Sequence, residues 1–574
     1  MVSYAKLRKL LAVLLSATVL AVQPINSAQV VAQMGEAEEI LLLNEEIIKE
    51  LEMEEQTESS LESSELNESD YEEVNSIAPE QSETLDDLSV EGDTDNVEDK
   101  TLESPQESQV DLKVEGSDIA TGNISIPGGQ TGASWRIDSG GNLFVDSGLI
   151  HSSGRSPWHF YRNDIKTITF LGPMTVAENR LSSLFRALEN VVSIEGLAYL
   201  DTSNVTNMNY MFAYTGSLTT LDVSSFDTSK VTSMSLMFWR AKSITALDLS
   251  NFDTSNVTRM IRMFSRMHSL TTLDVSSFDT SNVTNMGGMF SLTDSLTALD
   301  VSNFDTSKVT NMSSMFIGAE SLTALDVSNF DTSNVRYMGF MFAHMRSLRT
   351  LDVSSFNTSK VRYMDGMFSS MESLSALDLS SFDTKNVVNM SSMFARTKSL
   401  VTLDLSSFDT KNVVNMGYMF VNMDSLTTLD VSSFNTRKVT DMVYMFYNSN
   451  SLRILSLGTN FKFLENARLP KISSGEGYTG YWQNVGTGTI ANPKGSFVLT
   501  SAKLMKTFDG ATMADTFVWQ PIDSTKSPKP SPKDSIKPNT PETGEASSSS
   551  LAMLITGLFA ALALGITRKK RTSM

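Results

Sequence analysis

The chain of 574 residues is long enough for several domains, and its net charge of −22 is concentrated rather than spread. It has no cysteine, which excludes disulfides, thiolate metal sites and a cysteine nucleophile. Outside one acidic segment and the two charged ends, basic and acidic residues nearly balance. No basic stripe of the nucleic-acid-binding kind is therefore expected.

Residues 1–32 read as a signal peptide. Lys6, Arg8 and Lys9 precede an apolar run from Leu10 to Val22, and small residues follow, with cleavage after Ala28 or Ala32. Residues 33–118 are rich in Glu, Ser, Asp and Thr. From Met34 to Asp118 only Lys49, Lys100 and Lys113 are basic. Such a composition cannot bury enough surface to offset chain entropy, and a disordered segment is expected. Residues 119–196 carry short β-like runs, among them Leu143-Phe144-Val145 and Ile165 to Phe170, and read as an N-terminal cap.

Residues 197–457 repeat themselves. Met-Phe pairs begin at 211, 237, 263, 289, 315, 341, 367, 393, 419 and 445, always at the same interval, and another methionine stands three positions before each pair. Within one unit, Leu221 and Val223 alternate with Thr220, Asp222 and Ser224, the period of a half-buried strand. Val231, Met234, Met237 and Phe238 are spaced 3, 3 and 1, which predicts one face of a helix, with Thr228 or Ser229 as its N-cap. A lone unit has too few apolar residues to fold, so neighbouring copies must stack.

The Asp222 row, repeated at Asp248, Asp274, Asp300, Asp326, Asp352, Asp378, Asp404 and Asp430, must face solvent, hydrogen-bond heavily or bind cations. The residues after each Met-Phe pair vary between copies. Trp239, Arg240, Lys242, Arg266, His268 and Arg346 are therefore candidate ligand contacts, against simple drift at exposed turns.

Residues 458–520 hold aromatics between glycines, including Tyr478, Trp482 and Trp519, and read as a C-terminal cap. A Pro/Ser/Lys linker covers 521–539. Residues 540–574 hold Thr540, Pro541, Glu542, Thr543 and Gly544, then an apolar run from Leu551 to Thr567 and Arg568 to Arg571. The seventeen residues of this run would span about 25 Å as a helix, slightly under a bilayer core.

Two resemblances follow from these residues. The string Leu-Asp-Val-Ser-Ser-Phe-Asp-Thr-Ser-Asn-Val-Thr-Asn-Met-X-X-Met-Phe at 273–290 resembles the BspA-like leucine-rich-repeat surface proteins. That resemblance implies an α/β leucine-rich-repeat solenoid of 26-residue strand-helix units, capped by β-rich regions. It also implies adhesion to host extracellular-matrix proteins, host cells or other bacteria; separately, the aromatics of residues 458–520 offer a stacking site for glycan as the alternative to a cap. Phe226 stands where many such repeats carry a ladder asparagine. The C-terminus resembles a Gram-positive sorting signal, with Thr540 in place of its leucine. This implies cleavage between Thr543 and Gly544 by a sortase and covalent attachment to peptidoglycan, after a signal peptidase has removed the leader. No cofactor is expected. Nor is an enzyme, since no Gly-X-Ser-X-Gly, His-Glu-X-X-His or phosphate-binding glycine loop is present. The alternative to an adhesin is a structural wall or biofilm spacer without a specific ligand.

Overall fold

A computed structural model describes residues 118–522, apart from 153, 465 and 476. The expected leader with Ala28 and Ala32, the acidic segment up to 117, the linker from 523 and the sorting signal with Thr540 to Gly544 lie outside the described residues.

The chain winds into a β-solenoid of about 12 turns. Successive coils align in parallel. Thr272 and Leu273 pair with Ala246 and Leu247, and single-residue bridges join Asn207, Ser233, Arg259, Asn285, Asn311, Tyr337, Tyr363, Asn389, Asn415 and Asp441 in turn. The offset from coil to coil equals the period of the sequence repeat. Leu, Val, Phe and Met rows are almost fully buried along the whole array. The phenyl rings of the Met-Phe pairs stack from Phe212 to Phe446, with neighbouring centroids 5.7–6.0 Å apart. Each buried apolar side chain gains about 1.5–3 kcal/mol, and every coil gains it from both neighbours.

The expected helix is absent from the repeat. Over Met234 to Ala241 the backbone is a run of tight turns. The N–H groups of Met237, Trp239 and Ala241 bond the carbonyls of Met234, Leu236 and Phe238, three positions back. The N–H groups of Met234, Leu236, Phe238 and Arg240 instead bond Arg259, Ile261, Met263 and Ser265 of the next coil. Leu236 and Arg240 have φ of 57° and 60°, which an α-helix of L-residues does not accept. The 3, 3, 1 spacing that predicts a helical face also fits turns closed at every third position. Glycines mark the difference. Gly288 and Gly366 stand at the Leu236 position, and Gly318 stands at the Arg240 position, all with positive φ.

Thr228 caps no helix. It is buried, and its hydroxyl donates to the carbonyl of Asp253 in the next coil. Thr202 accepts the Asp227 N–H, and from Thr332 onward the equivalent hydroxyl both donates to and accepts from the same residue. Thr332 donates to the Asn357 carbonyl at 3.0 Å and accepts the Asn357 N–H at 2.8 Å. This threonine ladder satisfies backbone groups just after Phe226, beside asparagines such as Asn251, whose Nδ2 donates to the carbonyls of Val223 and Phe226. Ser229, the other cap candidate, bonds Asp227 in its own turn.

The coil spacing reaches back before the Met-Phe repeat. The strands are β1 (Ala120–Ser125), β2 (Thr131–Ile137), β3 (Asn142–Val145), β4 (Gly148–Ser152), β5 (Thr167–Phe170), β6 (Met174–Leu181), β7 (Ser193–Glu195) and β8 (Leu200–Asp201). β3, β5 and β7 run parallel, as do β4, β6 and β8. Their paired residues stand close to one repeat period apart, as Gly148 does from Met174 and Met174 from Leu200. β1 and β2 add antiparallel strands to the first sheet.

Within the array lie the short strands β9 (Ala246–Leu247), β10 (Thr272–Leu273), β11 (Thr428–Val431) and β12 (Ile454–Leu457). After them come β13 (Tyr478–Asn484), β14 (Val498–Leu499), α1 (Ser501–Thr507), α2 (Gly510–Met513) and β15 (Asp515–Pro521). β15 lies antiparallel on β12 and covers the open edge of the last coil. There Ser456 meets Thr516, their hydroxyls 2.9 Å apart, which accounts for serine in place of the row aspartate in this coil. A carboxylate facing β15 would lose its water.

Candidate functional site

Among the described residues, three rows bear on what this scaffold can bind. The first is the aspartate row. Asp222 Oδ1 accepts the Ser224 N–H at 3.0 Å and the Ser224 hydroxyl at 2.6 Å, and Asp248 and Ser250 repeat the arrangement. The Ser224 hydroxyl, then its N–H, hold the Asp222 carboxyl below its ordinary value. The row thus faces solvent and hydrogen-bonds within its own turn, which keeps neighbouring carboxylates ionised despite their mutual repulsion. Asp274, Asp300, Asp326 and Asp352 line a shallow trough of about 950 Å³ on this side. Among the described residues, no group of three or more His, Asp or Glu is placed to hold a metal ion.

The second row is the edge of variable turns. Trp239 is only 7% exposed and packs with Tyr210, Ala213 and Leu236, Tyr214 lying against the cluster. Arg240 stacks over Tyr214 and Trp239, at 5.0 and 5.4 Å from the ring centroids. Arg266 is half-buried at a left-handed position, with φ of 60°. Lys242, His268 and Arg346 are exposed members of one row that continues through Asp294, Glu320, Glu372 and Lys398. Its charges answer one another from coil to coil. His268 Nδ1 lies 2.7 Å from Asp294, Arg346 lies 3.4 Å from Glu320 and 3.9 Å from Glu372, and Lys398 lies 3.0 Å from Glu372. The variation that marks these turns in the sequence therefore also has an intramolecular reading, a ladder of ion pairs between coils. Beside it, burial and then Arg346 and Arg396 hold His344 below its ordinary value, so it stays neutral near pH 7.

The third row escaped the sequence reading. Thr206, Thr232, Thr258, Thr284 and Thr310 follow one another along the array, and from Thr232 onward each donates its hydroxyl to the carbonyl of the threonine before it. The row then changes to Arg336, Arg362, Val388 and Val414 before Thr440 restores it. The backbone bonds do not change. Arg336 N–H still bonds Thr310, and Arg362, Val388 and Val414 continue the series. A trough of about 620 Å³ opens here, lined by Arg336, Arg362, Lys360 and Lys438 together with Tyr337 and the valines. The signal was present as a break in the row, but only the stacking shows that these residues share one surface.

The array matches a protein-family model described as a Mycoplasma protein of unknown function, DUF285, over residues 179–297, 288–395 and 371–460. Those stretches together run the length of the Met-Phe repeat. No curated protein matches the chain. Among solved structures, the chain is similar to a leucine-rich repeat protein from Eubacterium ventriosum, at 15% identity over 61% of this chain and 100% of that one, with a TM-score of 0.31. It is also similar to a leucine rich cell surface protein from Faecalibacterium prausnitzii, at 12% identity over 52% of this chain and 92% of that one, with a TM-score of 0.21.

Among the described residues no helix is long and apolar enough to cross a membrane. The apolar run from Leu551 to Thr567 lies beyond them.

Proposed function

We propose that the chain is an exported surface protein whose solenoid is a non-catalytic binding module, attaching the cell to extracellular-matrix protein, to a host or bacterial cell, or to glycan. The observation that carries this reading is the independence of scaffold and surface. Buried Leu, Val, Phe, Met and Thr rows and inter-coil backbone bonds complete each coil, so exposed positions can change without cost to the fold. The replacement of Thr by Arg336 and Arg362 with the backbone bonds intact is such a change. The leader-like start and the sorting-signal-like end of the sequence support display on the outside, with peptidoglycan as the covalent attachment.

A second reading, a spacer with no specific ligand, is favoured by the edge row, where His268, Arg346 and Lys398 are engaged with neighbouring carboxylates. A binding screen separates the two. The purified full chain is applied to matrix proteins and glycans, with and without calcium. The binding reading expects a saturable partner. The spacer reading expects none under either condition.

A further inference from the structure

The trough at Arg336 to Lys438 is built unlike the rest of the array, and its chemistry selects a ligand class. Its lining contains four cations and no carboxylate. Asp383 and Asp409, in the same coils as the lining residues Asn386 and Asn412, are each held 2.6 Å from a lysine of their own turn, Lys385 and Lys411. Among the described residues, no salt bridge or side-chain hydrogen bond engages Arg336 or Arg362. Lys360 and Lys438 bond only neutral amides, the side chains of Asn334 and Asn412. Arg336 and Arg362 occupy equivalent positions in adjacent coils, so each guanidinium destabilises the other until an anion lies between or across them.

The arrangement is linear. Positions 336, 362, 388, 414 and 440 advance one coil at a time, about 5 Å each, so the trough follows the solenoid axis for about 20 Å. Arginines mark one end, Lys438 the other, and Val388 and Val414 form an apolar floor between them. Val414 is 40% exposed, whereas the valines of the scaffold rows are buried. Forked guanidiniums suit sulfate and carboxylate groups, and valine methyls suit the C–H faces of sugar rings.

We propose that this trough binds a linear acidic glycan carrying sulfate or carboxylate groups. The inference rests on the binding-module reading and specifies one of its ligands. A nucleic acid fits less well. Tyr337 and Tyr363 stack on each other at 5.4 Å and 8°, leaving little ring face for bases.

The test is binding of the full chain to size-defined heparin (sulfated) and hyaluronan (carboxylated) fragments across a NaCl series. Single-stranded DNA serves as a competitor, and the matrix-protein array is run beside it. The probe variant is Arg336→Thr with Arg362→Thr, which restores the repeat's own residue and leaves the backbone bonds in place. The control is Lys230→Asn with Lys308→Asn, which removes the same charge at positions where other coils carry asparagine.

The proposal expects saturable glycan binding that weakens with salt. It expects a loss of about tenfold or more in the arginine variant and less than about twofold in the control. Binding to heparin alone assigns sulfate as the recognised group, and binding to both assigns carboxylate as sufficient. Equal losses in the two variants, or DNA competing as well as heparin, overturns the proposal. Capture by a matrix protein but by neither glycan overturns it and leaves the binding-module reading standing. Capture by nothing removes both.

Discussion

Thr332→Val replaces a hydroxyl with a methyl of nearly the same size, so by hydrophobicity alone it should be harmless. The threonine ladder predicts otherwise. Thr332 is 1% exposed, and its hydroxyl serves both the carbonyl and the N–H of Asn357. Valine removes both bonds and leaves two partly buried backbone groups unpaired. Each bond is worth about 0.5–1.5 kcal/mol, and stranding its partner costs about 1–3 kcal/mol, so a total of about 2–4 kcal/mol is expected. Thr332→Ser keeps the hydroxyl and loses one methyl, at about 1 kcal/mol. Because coils can open locally, the assay is amide hydrogen exchange at Asn357 in the full chain, with the urea midpoint as a second readout. Protection should fall by roughly 30- to 1,000-fold in the valine variant and far less in the serine variant. Valine at the exposed Thr284, whose hydroxyl bonds a single carbonyl, should change stability by less than about 0.5 kcal/mol. If serine at 332 proves as damaging as valine, the ladder does not carry the corner.

Other outcomes follow from the rows. Ser392 has φ of 56° in the turn run, so Ser392→Gly should stabilise by about 0.5 kcal/mol in urea unfolding, whereas a helix would lose about 1 kcal/mol. Phe316 lies between Phe290 and Phe342 in the phenyl stack, and Phe316→Ala should cost about 3–5 kcal/mol, with faster exchange on both sides of the gap. Arg346→Glu sets three carboxylates in sequence with Glu320 and Glu372. It should destabilise by up to about 1 kcal/mol in 20 mM salt and by much less in 1 M salt, read as the shift in urea midpoint. The aspartate row sets the acid response. Ser250 holds Asp248 below its ordinary value of 3.8, so the folded state favours the carboxylate. That contribution is complete above the unfolded value and is lost as pH falls through the lower folded one. The urea midpoint should therefore be flat from pH 7 to 5 and drop below about pH 4, less steeply in Asp248→Asn.

The repeat length, the stacking, the buried Leu, Val, Phe and Met rows and the solvent-facing aspartates were all legible, because each is a one-dimensional pattern with a single fixed period. The turn run was misread because Val231, Met234, Met237 and Phe238 report only which side chains point inward. Whether N–H groups bond their own turn or the next coil leaves no mark on that spacing. The glycines at 288, 318 and 366 did leave one, since glycine within so short a helix is costly. Thr228 looked like a cap because a corner hydroxyl has the same local sequence whether it serves backbone groups of its own turn or those of the next coil. The basic trough was invisible to a net-charge argument, because Arg336, Arg362 and Lys438 are spread over several repeats and only the winding gathers them.

The most direct measurement of the central claim is attachment of living bacteria that display the full chain, compared with cells lacking it, on surfaces coated with matrix protein or acidic glycan. A binding module gives saturable attachment that depends on the chain and is competed by its purified form. Attachment equal to that of cells lacking the chain, on every surface, would contradict it.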